Sequence, residues 1–172
     1  MNQDIFDVIH RRKSIRHFTD EKVTYDDLLK IANAARATAT SVNLQNRTFT
    51  IVQNKGLINK LQIALGTAIG QRNYDFYQAD ALLLISMPDN YTYSQIETGL
   101  AVQNAYLAAT ALGLGTTWTD QIRNQCHHSG VRAVLDEMEI PSNHICWTIL
   151  PIGVPAENPP AKERTEKITI VE

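Results

Sequence analysis

The segment Arg11-Arg12-Lys13-Ser14-Ile15-Arg16 places four formal positive charges within six residues. Arg presents a planar fork of donors, Lys a point charge and Ser a hydroxyl, a set suited to an anionic phosphate group. A second basic pair, Lys162 and Arg164, lies near the other end of the chain. Both clusters are narrow, which fits a small phosphorylated ligand better than a long nucleic-acid track. Ser41, Asn43 and Gln45 form a polar trio at alternating positions. In an extended segment they would share one side and offer hydroxyl and amide groups to a ligand; the alternative is a polar loop between helix and strand. Cys126-His127-His128, with His144 and Cys146, contains metal-ligand types. Adjacent side chains diverge and no nearby second cluster completes four ligands, so no metal site is expected. Gly66-Thr67-Ala68-Ile69-Gly70 lacks the lysine and spacing of a phosphate-binding loop and the glycine pattern of a dinucleotide fold. No G-x-S-x-G nucleophile elbow occurs, which disfavours hydrolase chemistry.

Bulk properties narrow the field further. With 16 basic and 18 acidic residues the net charge is −2, so no long-range field draws the chain to nucleic acid or to a membrane surface. The 172 residues suit one domain with a sizeable core, and the 44% apolar content is ordinary for a globular protein. No apolar run reaches the roughly 18 residues needed to span a bilayer. Met1-Asn2-Gln3-Asp4 does not read as the start of a signal peptide. Two cysteines are too few for a disulfide framework. A reducing cytoplasm is the expected setting.

The elements that must position these groups are legible as patterns. Asp4 to Ile9 is a short amphipathic segment with acidic residues at its start and basic residues after it, a helix ending at the cationic cluster. Thr24-Tyr25-Asp26-Asp27 resembles a capping box, and Leu28, Leu29, Ile31, Ala32 and Ala35 follow at helical spacing. Thr48 to Val52 alternates and is β-branched, which predicts a strand. Lys55 to Leu65 reads as a helix stopped at Gly66. Ala81 to Met87 is a continuous apolar run, expected as a strand buried on both faces. Tyr93 to Leu112 is the longest helical candidate and is small or apolar on nearly every face, as a central core helix or one shared with a second subunit would be. Thr116 to Thr119 reads as a short strand, Ser129 to Met138 as a helix and Ile145 to Ile152 as a last strand. The expected class is α+β with a central sheet.

Four segments, taken in order, resemble the nitroreductase family, which binds flavin mononucleotide (FMN). Arg11 to Phe18 resembles its N-terminal R-R-S-x-R-x-F signature. Ala35 to Gln45 resembles its A-x-x-A-P-S-x-x-N-x-Q segment. Glu97 to Trp118, with Gly99, Gln103-Asn104 and Gly113-Leu114-Gly115-Thr116-Thr117-Trp118, resembles its central helix and following strand. Pro151 to Pro155, then Lys162 and Arg164, resembles its closing strand and basic tail. The resemblance spans nearly the whole chain and implies a mainly antiparallel central sheet surrounded by helices, in a homodimer. Residues 1–155 would form a single FMN-binding domain, and 156–172 a basic tail packed on the dimer.

The same resemblance implies site roles. Arg12, Ser14 and Arg16 match phosphate and ribityl ligands, Lys13 a further flavin contact, and Lys162 and Arg164 tail residues that return to the phosphate. Ser41, Asn43 and Gln45 match a segment that reaches the flavin of the partner subunit. Asn73 matches a contact to the pyrimidine edge, and the backbone at Trp118, Thr119 and Asp120 a stretch along the flavin edge, one amide facing N5. As a side chain, Trp118 reads equally as a core aromatic. No side chain is given a catalytic role, because flavin N5 carries the hydride. The sequence departs from the family pattern where Pro is expected near Ala39 and Pro-Trp at Asn46-Arg47, which should alter loop stiffness and pocket shape. The implied activity is an FMN-dependent NAD(P)H oxidoreductase working by ping-pong transfer to a nitroaromatic, quinone or enone acceptor, with NADH or NADPH as reductant. The alternative is a non-catalytic FMN-binding module with a regulatory or storage role.

Overall fold

The computed structural model describes residues 4–172, so the expectation for the extreme N-terminus concerns Met1-Asn2-Gln3, outside the described residues. In chain order the elements are α1 (Ile5–Arg11), α2 (Tyr25–Arg36), a 3-10 turn (Ser41–Asn43), β1 (Thr48–Val52), α3 (Lys55–Ala68), β2 (Ala81–Pro88) and α4 (Ser94–Ala111). They continue with β3 (Gly115–Thr116), a second 3-10 turn (Arg123–Gln125), α5 (Ser129–Glu137) and β4 (His144–Gly153). The four strands form one antiparallel sheet in the order β1-β2-β4-β3. The class is α+β, with helices on both faces of that sheet.

Strand β2 explains the layering. Leu82 and Leu84 face a core with Ile58, Leu61 and Leu65 of α3 and Val131, Val134 and Leu135 of α5. Ala81, Leu83 and Ile85 face a second core with Leu28, Ile31 and Ala35 of α2 and Ala101, Ala105 and Ala109 of α4. Both faces of the strand are covered, so its sequence is continuously apolar instead of alternating. Helix α2 starts as its sequence requires: Thr24 Oγ1 accepts from the Asp27 amide at 3.2 Å and donates to the Asp27 carboxylate at 2.8 Å.

Helix α3 overruns the stop expected at Gly66 and ends at Ala68. Gly66 is buried inside it, and a Cβ there would lie 2.6 Å from the Gln71 carbonyl oxygen and 3.1 Å from Tyr74 Cβ. This glycine therefore serves close approach, and the positive φ expected after a helix end falls instead at Gly70, at 73°. Helix α4 has 18 residues and is about 27 Å long. Ala101, Ala105 and Ala109 are buried within the chain, while Ile96 is 64% and Leu100 45% exposed. The apolar surface of α4 thus has one covered side and one uncovered side in a single subunit.

Strand β3 is shorter than expected. Gly115 pairs with Gly153 and Thr116 with Ile152, the ladder opens at Thr117 and Trp118, and Thr119 rejoins opposite Ile149 in the same register. That register sets Thr117 opposite Pro151, which has no N–H to give. No helix among the described residues is long and apolar enough to cross a membrane.

Candidate functional site

The two basic segments, some 150 residues apart in sequence, meet along the β3 edge. Arg12 caps the C-terminus of α1, its amide donating to the Val8 carbonyl. The chain then runs beside β3, where Ser14 bridges Thr116 and the Ile15 amide donates to the Thr116 carbonyl at 3.0 Å. Close approach needs glycine at two places. A Cβ on Gly115 would meet Ile15 Cγ2 at 2.7 Å, and one on Gly153 would meet Phe18 Cδ1 at 2.8 Å. The start of the tail locks onto the other side of this strap. Thr19 N–H donates to the Val154 carbonyl and Ala156 N–H to the His17 carbonyl, both at 2.9 Å. Glu157 accepts from the Arg16 and His17 amides and approaches His17 Nδ1 at 2.9 Å. The Arg16 amide is the main reason the Glu157 carboxyl lies below its ordinary pKa.

The result is a cavity of about 930 Å³, within the usual range for a small-molecule or cofactor site. Arg12, Lys13, Ser14, Arg16, Trp118, Lys162 and Arg164 all line it. Among the described residues, none of the ion pairs involves Arg12, Arg16, Lys162 or Arg164. Lys13 donates to Asn158 Oδ1 at 2.8 Å and so ties the strap to the tail. Five cations, Lys13 among them, share one cavity without a carboxylate to neutralise them, a donor set that fits a phosphate. Trp118, 55% exposed, is a wall of this cavity and not a core aromatic.

The remaining expected site residues stand elsewhere. Thr119 is buried, and its amide donates to the Ile149 carbonyl at 2.9 Å. That N–H is spent inside the sheet, leaving the Trp118 and Asp120 amides as the candidates for a flavin edge. Asp120 lines a smaller adjoining cleft. Asn73 lies on an exposed turn after α3 and is not among the residues lining the cationic cavity.

Ser41, Asn43 and Gln45 do not occupy an extended segment. Ser41–Asn43 is a 3-10 turn, with positive φ at Val42 (46°), Asn43 (57°) and Gln45 (51°). Their alternation therefore does not place them on one side; Gln45 Nε2 donates to Asn43 Oδ1 at 2.8 Å instead. Left-handed backbone at non-glycine residues is costly and has to be held from outside. The holder is Glu97 of α4, whose buried carboxylate accepts from the Ser41 amide at 2.7 Å and from the Tyr91 hydroxyl. That carboxylate is also the main cause of the raised Tyr91 pKa. Arg47, in place of the aromatic expected there, braces the preceding loop: it donates to the Thr38 carbonyl at 2.8 Å and lies over the Phe49 ring.

Three contributors were given no site role by the sequence reading, although Gly99 and Gln103 stand in one of its motifs. Tyr106 lies beneath Arg12, the guanidinium carbon 5.1 Å from its ring centroid, with its hydroxyl 3.5 Å from Ser14 Oγ. Gly99 and Gln103 line the cavity on the same helix face as Tyr106. The spacing 99, 103, 106 is the helical signal that would have found them. Cys126 and Cys146 are free, buried, and both raised in pKa by burial; Cys126 Sγ accepts from the Cys146 amide at 3.1 Å. They are part of the α3/α5 core and line neither cavity.

Comparison with known proteins agrees with this architecture. The Nitroreductase family model matches residues 9–69 and 69–154. The oxygen-insensitive NADPH nitroreductase of Salmonella typhimurium is 30% identical over 168 residues, which cover 88% of this chain and 66% of that protein. The FMN reductase (NADPH) of Bacillus subtilis is 26% identical over 184 residues, covering 97% of this chain and 72% of that one. The structure of a nitroreductase with bound FMN from Bacteroides fragilis aligns with a TM-score of 0.90 at 27% identity, covering 99% of this chain and all of the other. With the family match running from α1 through β4, the chain belongs to the nitroreductase family.

Proposed function

We propose that the protein is an FMN-dependent NAD(P)H oxidoreductase and that the cationic cavity holds the cofactor. The observation that carries this reading is the convergence of Arg12, Arg16, Lys162 and Arg164, unpaired with acids among the described residues, on one cavity beside the Ser14 hydroxyl. Arg12 is pre-oriented by Tyr106, and the strap that carries Ser14 and Arg16 is fixed on both sides by backbone bonds. Such preorganisation lowers the cost of ordering the ligand. FMN held by these residues would supply a two-electron carrier between NADH or NADPH and a nitroaromatic, quinone or enone acceptor, used in ping-pong order. For a nitroaromatic the overall exchange is NAD(P)H + H⁺ + ArNO2 giving NAD(P)⁺ + ArNO + H2O. The Trp118 and Asp120 amides would be the donors to the flavin ring, and solvent would supply protons.

The functional unit is a homodimer. The exposed side of α4 with Ile96 and Leu100, and the exposed tail residues Ile168, Ile170 and Val171, supply the apolar surface it needs. Ser41, Asn43 and Gln45, which miss the cavity of their own subunit, then serve the cofactor of the other. Residues 1–155 form the cofactor-binding domain and 156–172 the tail that packs across the pair. With both cysteines free and buried, a reducing cytoplasm suits the protein.

Absorption spectra test the reading. The protein, as purified or after addition of FMN at micromolar concentration, should show bound-flavin bands that bleach on addition of NADH or NADPH. A chain that takes up no FMN sinks the proposal. Bound flavin that neither nucleotide reduces would leave a flavin-binding module without turnover.

A further inference from the structure

The strap after α1 is extended where it passes β3, so its side chains alternate. Arg12, Ser14 and Arg16 line the cationic cavity, whereas Arg11 and Ile15 line a separate hollow with Gly113 and Pro155. The three cavity-facing residues are not held alike. Arg16 is exposed, with only its backbone amide engaged by Glu157. Arg12 and Ser14 are half-buried, and both side chains meet one residue of α4, Tyr106. Tyr106 is 3% exposed and belongs to the core that α4 shares with α2, yet it also lines the cavity. A ring packed into a core has little freedom, so what rests on it is fixed in turn.

The kind of contact matters as much as its place. The Arg12 guanidinium carbon lies 5.1 Å from the Tyr106 ring centroid, within cation–π range. None of the ion pairs among the described residues involves Arg12, so an uncharged ring orients it and its positive charge stays available. A carboxylate in the same place would orient Arg12 and then compete with an incoming phosphate. The Tyr106 hydroxyl is 3.5 Å from Ser14 Oγ, long for an O–H···O bond, so its share is smaller than that of the ring. A phenol that donates to Ser14 Oγ leaves the serine hydrogen free for a phosphate oxygen. The Ser14 backbone is already set by its bridge to Thr116, which leaves only the side chain to be ordered.

We propose that Tyr106 is a positioning residue for the phosphate: it joins Arg12 and Ser14 into one preassembled donor pair and so sets the preference of the site for phosphorylated over unphosphorylated flavin. Preassembly removes side-chain freedom that the ligand would otherwise have to freeze, and an arginine has much of it to lose. Tyr106 acts through its two neighbours, so its effect shrinks when either is removed. The inference rests on the reading of the cavity as the FMN site.

The full chain and its variants are titrated with FMN and with riboflavin, following quenching of flavin fluorescence. Tyr106→Phe, which keeps the ring beside Arg12, should weaken FMN binding about threefold. Tyr106→Leu, which removes ring and hydroxyl together, should weaken it about fifteenfold. Riboflavin affinity should move less than about twofold in both variants, which a mere packing role would not predict. Arg12→Ala should cost at least about threefold less FMN affinity in the Tyr106→Leu background than in the unaltered chain. Should Tyr106→Leu fail to fold, Tyr106→Phe keeps the core packing and takes its place, with Ser14→Ala as the second change in the cycle. Three results overturn the proposal: equal losses for FMN and riboflavin, FMN affinity unchanged by either substitution, or additive losses in the cycle. Inorganic phosphate separates these from a failure of the FMN reading. At fixed ionic strength it should raise the thermal midpoint of the unaltered chain more than that of the Tyr106 variant. If the unaltered chain takes up no FMN, the cofactor reading falls and this difference decides the role of Tyr106; equal rises, or none, overturn it.

Discussion

Replacing Arg164 by Ala probes the phosphate site with little disturbance elsewhere. Arg164 lies in an exposed tail without regular secondary structure, outside both hydrophobic cores, yet its side chain lines the same cavity as Arg12 and Arg16. A hydrogen bond to a charged group contributes about 1.5–3 kcal/mol, and about 1.4 kcal/mol is tenfold in affinity. Loss of Arg164 should therefore weaken FMN binding roughly 10- to 150-fold, with solvent exposure favouring the lower end. Riboflavin has the same ring and ribityl chain without the phosphate, so its affinity should change by less than about threefold by the same reasoning. Arg16→Ala should behave alike, since only its backbone amide is engaged by Glu157. The assay is quenching of flavin fluorescence on titration with protein, at one fixed ionic strength because exposed charges are screened. Equal losses for the two ligands in both variants would show that these arginines do not meet the phosphate, and would refute the reasoning from unpaired cations.

Three further outcomes are expected. Gly115→Ala drives a Cβ into Ile15 Cγ2 and Cβ at 2.7 and 2.8 Å, and should destabilise the fold by roughly 1–3 kcal/mol in urea while weakening FMN, because the strap carries Ser14 and Arg16; an unchanged midpoint and FMN affinity would contradict it. Burial acts to raise the Asp80 carboxyl, but hydrogen bonds from Gln53, the Val23 amide and Lys22 outweigh it and leave the pKa below its ordinary 3.8. A depressed folded pKa gives stability that is present above the unfolded value and is lost as pH falls through the folded one. Asp80→Asn should thus flatten the fall in stability below about pH 4, and an unaltered acid profile would oppose that assignment. Leu100→Glu, on the uncovered side of α4, should shift light-scattering mass at low micromolar concentration from dimer towards monomer; a dimer of undiminished affinity would place the interface elsewhere.

Local pattern was enough for much of the fold. The capping residues at Thr24, the β-branched run at Thr48–Val52 and the unbroken apolar run of β2 each have a cause within a few residues, and each element stands where its sequence puts it. The four motifs also brought Arg12, Ser14, Arg16, Lys162 and Arg164 under one family signature, and the cavity gathers all of them. What failed was what distant partners decide. The alternation of Ser41, Asn43 and Gln45 says nothing about φ, and their left-handed turn is held by Glu97, more than fifty positions away. Gly66 looks like a helix stop until the Gln71 carbonyl and Tyr74 are seen against it. Strand β3 parts after Thr116, where its register sets Thr117 against Pro151 on the neighbouring strand. Types and spacing thus fix which residues can bind an anion, because charge and donor geometry belong to the side chain. Where those residues meet belongs to the tertiary structure, because only the packing of the strap against Gly115 and Gly153 carries the N-terminal arginines to the C-terminal tail.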